Sequence, residues 1–121
     1  MLDRYKNIAK QHRKKIPLYQ RWKLVAILAA KKPIAIAINN QEKTHPVITA
    51  IYPLRHSHAE VTCLRKAPKE KIKNSTMYVF RFGFNGFRLA KPCKLCMDFL
   101  SINGVKKVIY STNNGWEEIR L

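Results

Sequence analysis

The less polar side chains near the start of the chain recur every three or four residues, with lysine and arginine between them. They are Leu2, Tyr5, Ile8, Ala9 and His12. This period is typical of an amphipathic helix, which we predict over residues 3–13. A basic loop over residues 14–21 follows it and contains Pro17 and Tyr19.

Two apolar segments then flank the turn sequence Lys31-Lys32-Pro33. They run from Trp22 to Ala30 and from Ile34 to Ile38, and they predict a β-hairpin. Both segments are apolar on both faces of a strand. We therefore expect helices on both sides of the sheet.

The remaining pattern alternates helices and strands. We predict a loop over 39–57 with a short extended piece at 47–52, a helix over 58–67, a lysine-rich connection over 69–74, a strand from Met77 to Phe82, a loop over 83–91, a helix over 93–103, and strands from Val105 to Tyr110 and from Trp116 to Arg120. The short turn Asn113-Asn114-Gly115 makes the last two strands antiparallel. This order predicts an α/β fold, a three-layer α/β/α sandwich with a mixed five-stranded sheet.

Length and charge bound the function. The 121 residues suit one domain over residues 1–121. The 24 lysines and arginines oppose only 7 acidic residues, a net charge of +17. This imbalance favours a polyanionic partner or substrate, with a merely basic surface as the alternative. Mutual repulsion of such chains favours a monomer.

No apolar run in the sequence reaches the roughly 18 residues of a membrane span. The first ten residues also lack the apolar core of a signal peptide. We therefore expect an intracellular protein, cytoplasmic or phage-encoded, with no membrane partner.

The three cysteines are an odd number and make a poor disulfide framework. Two of them, Cys93 and Cys96, share one face of the first turn of a predicted helix. The positive end of the helix dipole there should lower a thiol pKa and favour metal binding. His58 would add a third ligand and leave one position of tetrahedral zinc open to water. Glu60 would then stand beside that water as a proton carrier.

Other interpretations of these residues stay open at this point. A C-x-x-C pair can be a structural zinc half-site or a redox pair. A closed site, with His56 or Cys63 as fourth ligand, would suit a nucleic-acid-binding module without catalysis. The sequence favours neither residue as a ligand, since Cys63 fits the buried face of its helix.

The segments His58-Ala59-Glu60 and Pro92-Cys93-Lys94-Leu95-Cys96 each open a predicted helix. Together they resemble the H-x-E…P-C-x-x-C signature of the zinc-dependent cytidine/deoxycytidylate deaminase superfamily. The resemblance extends to the order of elements over nearly the whole chain. It implies a cytidine deaminase-like fold, one catalytic Zn²⁺ held by His58, Cys93 and Cys96, and Glu60 as the proton shuttle. It also implies that Asn39 contacts the substrate sugar and that Ala59 and Pro92 line the base pocket.

The implied reaction is hydrolytic conversion of cytosine to uracil. A deaminase cannot reach a stacked base, so a polynucleotide substrate must be single-stranded or have its base flipped out. Basic groups that grip the backbone and aromatic rings that stack on bases meet this need. Further candidates for substrate contact are His56, Tyr19, Phe87, Arg88 and Lys91, with core packing as the alternative for the aromatic residues. We expect the lysine-rich stretch 65–73 to be a solvated face.

The charge favours DNA as the substrate, single-stranded and potentially also double-stranded. RNA, and a small substrate such as dCMP or deoxycytidine, are the alternatives. Adenine in place of cytosine also stays open.

Overall fold

The structure is a computed structural model that describes residues 2–16, 23–39, 59–84 and 86–121. The elements are α1 (Leu2–Arg13), β1 (Lys23–Ala29), β2 (Pro33–Ile38), α2 (Ala59–Lys66), α3 (Lys69–Ile72), β3 (Thr76–Gly83), β4 (Gly86–Arg88), α4 (Lys94–Ile102), β5 (Lys107–Thr112) and β6 (Gly115–Arg120). The helices among these residues are too short or too polar to cross a membrane.

One mixed sheet holds the described strands together. Its order is β2-β1-β3-β5-β6, and β4 pairs with β3 beside this path. The β3–β5 pair is parallel, and all other pairs are antiparallel, including β5–β6. The prediction of a mixed sheet with antiparallel final strands is therefore confirmed, although the sheet has six strands rather than five.

The additional strand β4 lies within the segment predicted as a loop over 83–91. Phe87 pairs with Phe82 and Arg88 pairs with Arg81, so the segment folds back on β3 as a hairpin. Gly86 has a φ of 131°, a backbone conformation that favours glycine. Glycines at both ends of this turn made the strand unrecognisable, because they break the apolar alternation expected of a strand. The lysine-rich connection likewise contains the short helix α3.

Helices cover both faces of the sheet, as the apolar pattern of β1 and β2 predicts. Tyr5 and Ala9 of α1 pack on one face, against Val25, Ile27 and Phe80. The other face carries the main core beneath α2 and α4. Its buried members include Ala26, Leu28, Val61, Val79, Cys96 and Leu100. The three-layer α/β/α arrangement is thus confirmed.

Strand directions place several element ends at one edge, here called the upper edge. The strand β1 begins there, while the antiparallel strands β2 and β3 end there. The helices α2 and α4 end together at the opposite edge, where Leu64, Ala67, Phe99 and Asn103 line one small cavity. Both helices therefore begin at the upper edge, which brings Glu60 and the cysteine pair to the same side of the fold.

Candidate active site

Glu60 lies in the first turn of α2 and is 4% exposed. The preceding residue, Ala59, is fully buried and anchors the start of the helix in the core. A carboxylate is seldom so buried unless neighbouring groups form hydrogen bonds or ion pairs with it, because its charge is costly to remove from water. Glu60 is thus a buried carboxylate at the start of α2 and not a solvated side chain at a helix end.

The start of α4 presents the two motif cysteines. Cys93 is the N-cap residue, with extended backbone, and its Sγ accepts a hydrogen bond from the Cys96 backbone N–H at 3.5 Å. Cys93 is exposed and Cys96 is buried. Pro92 precedes the cap and is itself buried. The two thiols therefore lie on one side of the first turn, with one toward solvent and one toward the core.

Electrostatics join the cysteine pair to Glu60. The hydrogen bond with the Cys93 thiol raises the pKa of Cys96 most, followed by burial and then by the negative charges of Glu60 and Cys93. For Cys96 this direction is opposite to the lowering expected at a helix N-terminus. The hydrogen bond with Cys93, burial and the charge of Glu60 together outweigh the dipole of a nine-residue helix.

The same arrangement fits a bound cation. A pair of sulfurs and a carboxylate in one place is unfavourable when all are ionised, and a divalent cation removes that repulsion. Thiolate donors favour zinc over harder cations such as magnesium. Within the described ranges, no group of three or more potential ligands forms a complete metal site. His58, the predicted third ligand, lies outside those ranges, as do His56 and Tyr19.

The predicted substrate contacts are placed differently from one another. Asn39 is buried at the end of β2, and its Oδ1 accepts a hydrogen bond from the Leu24 N–H at 2.9 Å. Lys91 is exposed just before the α4 cap. Arg88 lies over Gly83, where an added Cβ would approach its Cγ to 2.7 Å. Lys91 is thus close to Cys93 along the chain, Arg88 lies against the β3–β4 hairpin, and the side-chain amide oxygen of Asn39 is bonded to β1.

Phe87 belongs to an aromatic cluster on the α1 side of the sheet. Its ring centroid lies 5.1 Å from Phe82, 5.2 Å from Trp116 and 5.8 Å from Phe80. Cys96 packs in the core on the other side. This placement favours the packing role of Phe87 over a contact with a base at the cysteine pair.

The sequence did not predict a positioning role for Ser111. Ser111 is fully buried near the end of β5, and its hydroxyl donates to the Arg88 carbonyl at 2.7 Å. The same oxygen accepts from the Arg81 N–H at 3.0 Å, and the Ser111 carbonyl accepts from the Ala90 N–H at 2.8 Å. Ser111 therefore fixes the segment between β4 and the Cys93 cap. A serine inside the apolar strand Val108–Ser111 is the only signal that could have revealed it.

Two expectations remain, one for Cys63 and one for the lysine-rich stretch. Cys63 is fully buried, as predicted, and its Sγ–H donates to the Ala35 carbonyl at 3.2 Å. It therefore faces β2. The basic side chains of the stretch are all exposed, which confirms a solvated face. They are Arg65, Lys66, Lys69, Lys71 and Lys73.

The chain was compared with known families and proteins. Residues 2–112 match the family model described as the cytidine and deoxycytidylate deaminase zinc-binding region. The search of curated proteins finds no match. The matched range runs from α1 through β5 and includes both segments that build the site. Deaminases of this family act on nucleotides or nucleic acids and use one catalytic zinc ion. The chain therefore belongs to the cytidine and deoxycytidylate deaminase family and is a zinc-dependent hydrolytic deaminase.

Proposed function

We propose that this deaminase converts cytosine to uracil in single-stranded DNA. The observation that carries the proposal is the net charge of +17, which far exceeds what one phosphate of a mononucleotide requires. Part of that charge stands at the site, since Lys91 and Lys94 are exposed on either side of Cys93. A strand with a phosphate at every nucleotide uses many such groups at once.

The residue roles in this proposal rest on the family motif at the starts of α2 and α4. His58, Cys93 and Cys96 hold the zinc ion. When bound, zinc lowers the pKa of water toward neutrality and stabilises the charge that develops during attack. Glu60, held beside Cys96, accepts a proton from the attacking water and delivers it to ring N3. The water oxygen bonds to C4. Glu60 then takes the second proton from that oxygen and gives it to the amino group, and the C4–N bond breaks as ammonia leaves. Water and cytosine thereby become uracil and ammonia.

Small and buried side chains shape the pocket in this proposal. Ala59 and Pro92 line the space above the cysteine pair, because each directly precedes a catalytic or ligand residue at the start of a helix. Asn39, at the end of β2, contacts the substrate sugar. His56 and Tyr19 complete the rim, and Arg88 and Lys91 hold the phosphates on either side of the target base.

The test compares the protein with Glu60→Gln, a variant of nearly the same shape. Both are incubated with single-stranded DNA, duplex DNA, RNA, cytidine and dCMP, and conversion is read by sequencing and mass spectrometry. Zinc content is measured in parallel. The control is Glu70→Gln, which changes an exposed glutamate on α3.

We expect the unmodified protein and Glu70→Gln to convert cytosine in single-stranded DNA. Glu60→Gln should lose at least about 100-fold in rate, as is typical when a general acid–base group is removed, while keeping one zinc per chain. Conversion confined to cytidine and dCMP, or to RNA, would contradict DNA as the substrate. Inosine instead of uracil would contradict cytosine as the base. Full activity of Glu60→Gln would contradict the proton role.

A further inference from the structure

We propose that a basic pocket between α1 and the β3–β4 hairpin binds the backbone of single-stranded DNA outside the base pocket, with Phe84 as a stacking surface. This α1 pocket is a cavity of about 440 Å³. The inference rests on the proposed function, because it concerns how a polynucleotide is held while its target base reaches the zinc site.

The lining of the α1 pocket combines positively charged and apolar side chains. Its residues are Lys10, Arg13, Lys14, Ile16, Lys23, Phe82, Gly86 and Phe87. Four of these eight side chains carry a positive charge, and none of the described lining residues is acidic. Cations over an aromatic floor, without a neutralising carboxylate, are suited to a ligand that has both phosphates and rings.

Helical spacing explains why the charges gather on this side of α1. Lys6, Lys10, Arg13 and Lys14 are separated by four, three and one residues, so they project from neighbouring positions of one face. Lys6 Nζ lies 5.1 Å from the centroid of the Trp116 ring. The Arg13 guanidinium lies 5.3 Å from that of Phe82. The aromatic cluster thus holds Lys6 and Arg13, while Lys10 and Lys14 remain exposed.

A second basic cavity shows that charge alone does not define the site. It lies at the opposite edge and is lined by Lys31, Lys32, Lys71 and Lys73, together with Glu70. That cavity contains a carboxylate and no aromatic side chain. It also lies where β1 ends, far from the starts of α2 and α4. The α1 pocket combines charge, aromatic rings and the upper edge.

Phe84 at the tip of the β3–β4 hairpin is 95% exposed, an unusual state for so large an apolar side chain. The hairpin continues into Gly86 and Phe87, which line the α1 pocket. Base stacking on an exposed ring tolerates any sequence and removes the ring from water. Phe84 can therefore hold a base beside the phosphates bound in the pocket.

The α1 pocket is also close enough to serve the zinc site. Six residue steps connect Phe87, which lines the pocket, to Cys93, so the two Cα atoms are separated by at most about 22 Å. A few nucleotides of extended strand cross that distance. The strand can thus occupy the pocket while a neighbouring base enters the space above Cys93 and Cys96.

The test measures binding of a fluorescently labelled oligothymidine, which contains no cytosine and cannot be deaminated. The variant Lys10→Gln/Lys14→Gln removes two exposed charges from the α1 pocket. Its control, Lys69→Gln/Lys71→Gln, removes two exposed charges from the opposite edge. Phe84→Ala is paired with Ile102→Ala, which truncates an apolar side chain that is 79% exposed on α4.

We expect Lys10→Gln/Lys14→Gln to raise Kd about tenfold at low salt. It should reduce the slope of log K against log salt by about 1.4, since each phosphate contact of a single strand contributes about 0.7. Phe84→Ala should raise Kd about fivefold or more, the usual loss of one stacked base. The two control variants should change Kd by less than about twofold, as surface positions away from contacts do.

Equal weakening by both lysine variants would overturn the proposal, because the charge would then act without regard to its place. Unchanged binding by Phe84→Ala would overturn the stacking role. If oligonucleotides are deaminated but Lys10→Gln/Lys14→Gln binds normally, the pocket is wrong and the proposed function stands. If only mononucleotides are deaminated while this variant loses oligothymidine binding, the proposed function fails and the pocket stands.

Discussion

At the scale of single residues, two buried titratable side chains on α2, Glu60 and Cys63, have different surroundings. Glu60 faces Cys96 at the upper edge, whereas Cys63, one turn later, faces β2. Burial raises the pKa of the Cys63 thiol to about 12, against a lowering effect of the Leu28 backbone hydrogen bond and of Lys66. The same helix therefore carries one buried group beside the cysteine pair and one against β2.

The raised pKa of Cys63 predicts a stability change at alkaline pH. The unfolded thiol loses its proton near its ordinary pKa of 9.0, whereas the folded thiol keeps it until about pH 12. The stabilisation is thus fully present below pH 9 and is lost as the pH rises from 9 to 12. At pH 10 the loss from this group is about 1.4 kcal/mol.

The measurement is urea unfolding of the protein and of Cys63→Ala at pH 8 and pH 10. The variant should be less stable at pH 8, because it lacks the Ala35 hydrogen bond, yet its further loss at pH 10 should be smaller by about 1.4 kcal/mol. An equal loss in both proteins would show that Cys63 ionises in the folded state.

Motif residues were the part of the site that the sequence could predict. Two short segments with fixed spacing predict Cys93 and Cys96 as zinc ligands and Glu60 beside them, because zinc favours sulfur and imidazole donors. The partner of Asn39 could not be predicted, since Leu24 lies fifteen residues away and the pairing depends on how β2 returns along β1. The role of His58 as a zinc ligand and the roles of the rim residues stay predictions.

At the scale of elements, the cysteine helix depends on the strand beside it. The chain leaves β4, runs along the end of β5 and only then enters α4. The Ser111 hydroxyl donates to the Arg88 carbonyl and accepts from the Arg81 N–H, and the Ser111 carbonyl accepts from the Ala90 N–H; these hydrogen bonds set that course. The Leu89 N–H donates to Asn113 Oδ1 at 3.2 Å and adds a contact at the β5–β6 turn. The position of Cys93 is therefore determined outside its own helix.

Ser111→Ala should reveal this dependence. The substitution removes the acceptor of the Arg81 N–H and the donor to the Arg88 carbonyl, so we expect the free energy of unfolding to fall by about 1–3 kcal/mol. The rate of deamination should fall by more than the loss of folded protein explains, because Cys93 shifts at the start of α4. Ser101→Ala on the exposed side of α4 is the control, with a change below about 0.5 kcal/mol. Equal unfolding midpoints for the two variants would contradict the positioning role.

Local pattern predicted the long elements and missed the short ones. Apolar periods and terminal signals such as Asn103-Gly104 were enough for α1, α2, α4 and the five longer strands. The strand β4 is three residues long, and its pairing with β3 comes from a glycine turn and the contact of Phe87 with Phe82. Such elements form through tertiary contacts, so the local sequence carries little trace of them.

At the scale of the whole molecule, charge is distributed unevenly over the edges of the sheet. Two of the seven acidic residues, Glu117 and Glu118, stand on the edge strand β6. The α1 pocket has no acidic residue in its described lining. Charges on an exposed edge strand also discourage pairing with another chain. The net charge was readable from composition, whereas its distribution needed the fold.

Salt dependence tests how the whole charge is used. For a single strand that engages four phosphates, raising salt from about 50 to 200 mM should lower kcat/KM about 50-fold. The same change should lower kcat/KM for dCMP less than about fourfold, because only one phosphate is held. The measurement is the initial rate of uracil formation at subsaturating substrate. Equal losses of kcat/KM for both substrates would mean that salt affects the enzyme itself and not the contact between the basic surface and the strand.

The hydrogen bonds of Ser111 have a consequence for the order in which the protein is made. Synthesis proceeds from the first residue onward, so Cys93 and Cys96 leave the ribosome before the serine that fixes the approach to them. Until β5 joins β3 in parallel, the two sulfurs have no fixed position relative to Glu60. We therefore expect the metal site to be complete only after the chain has been extended past residue 111.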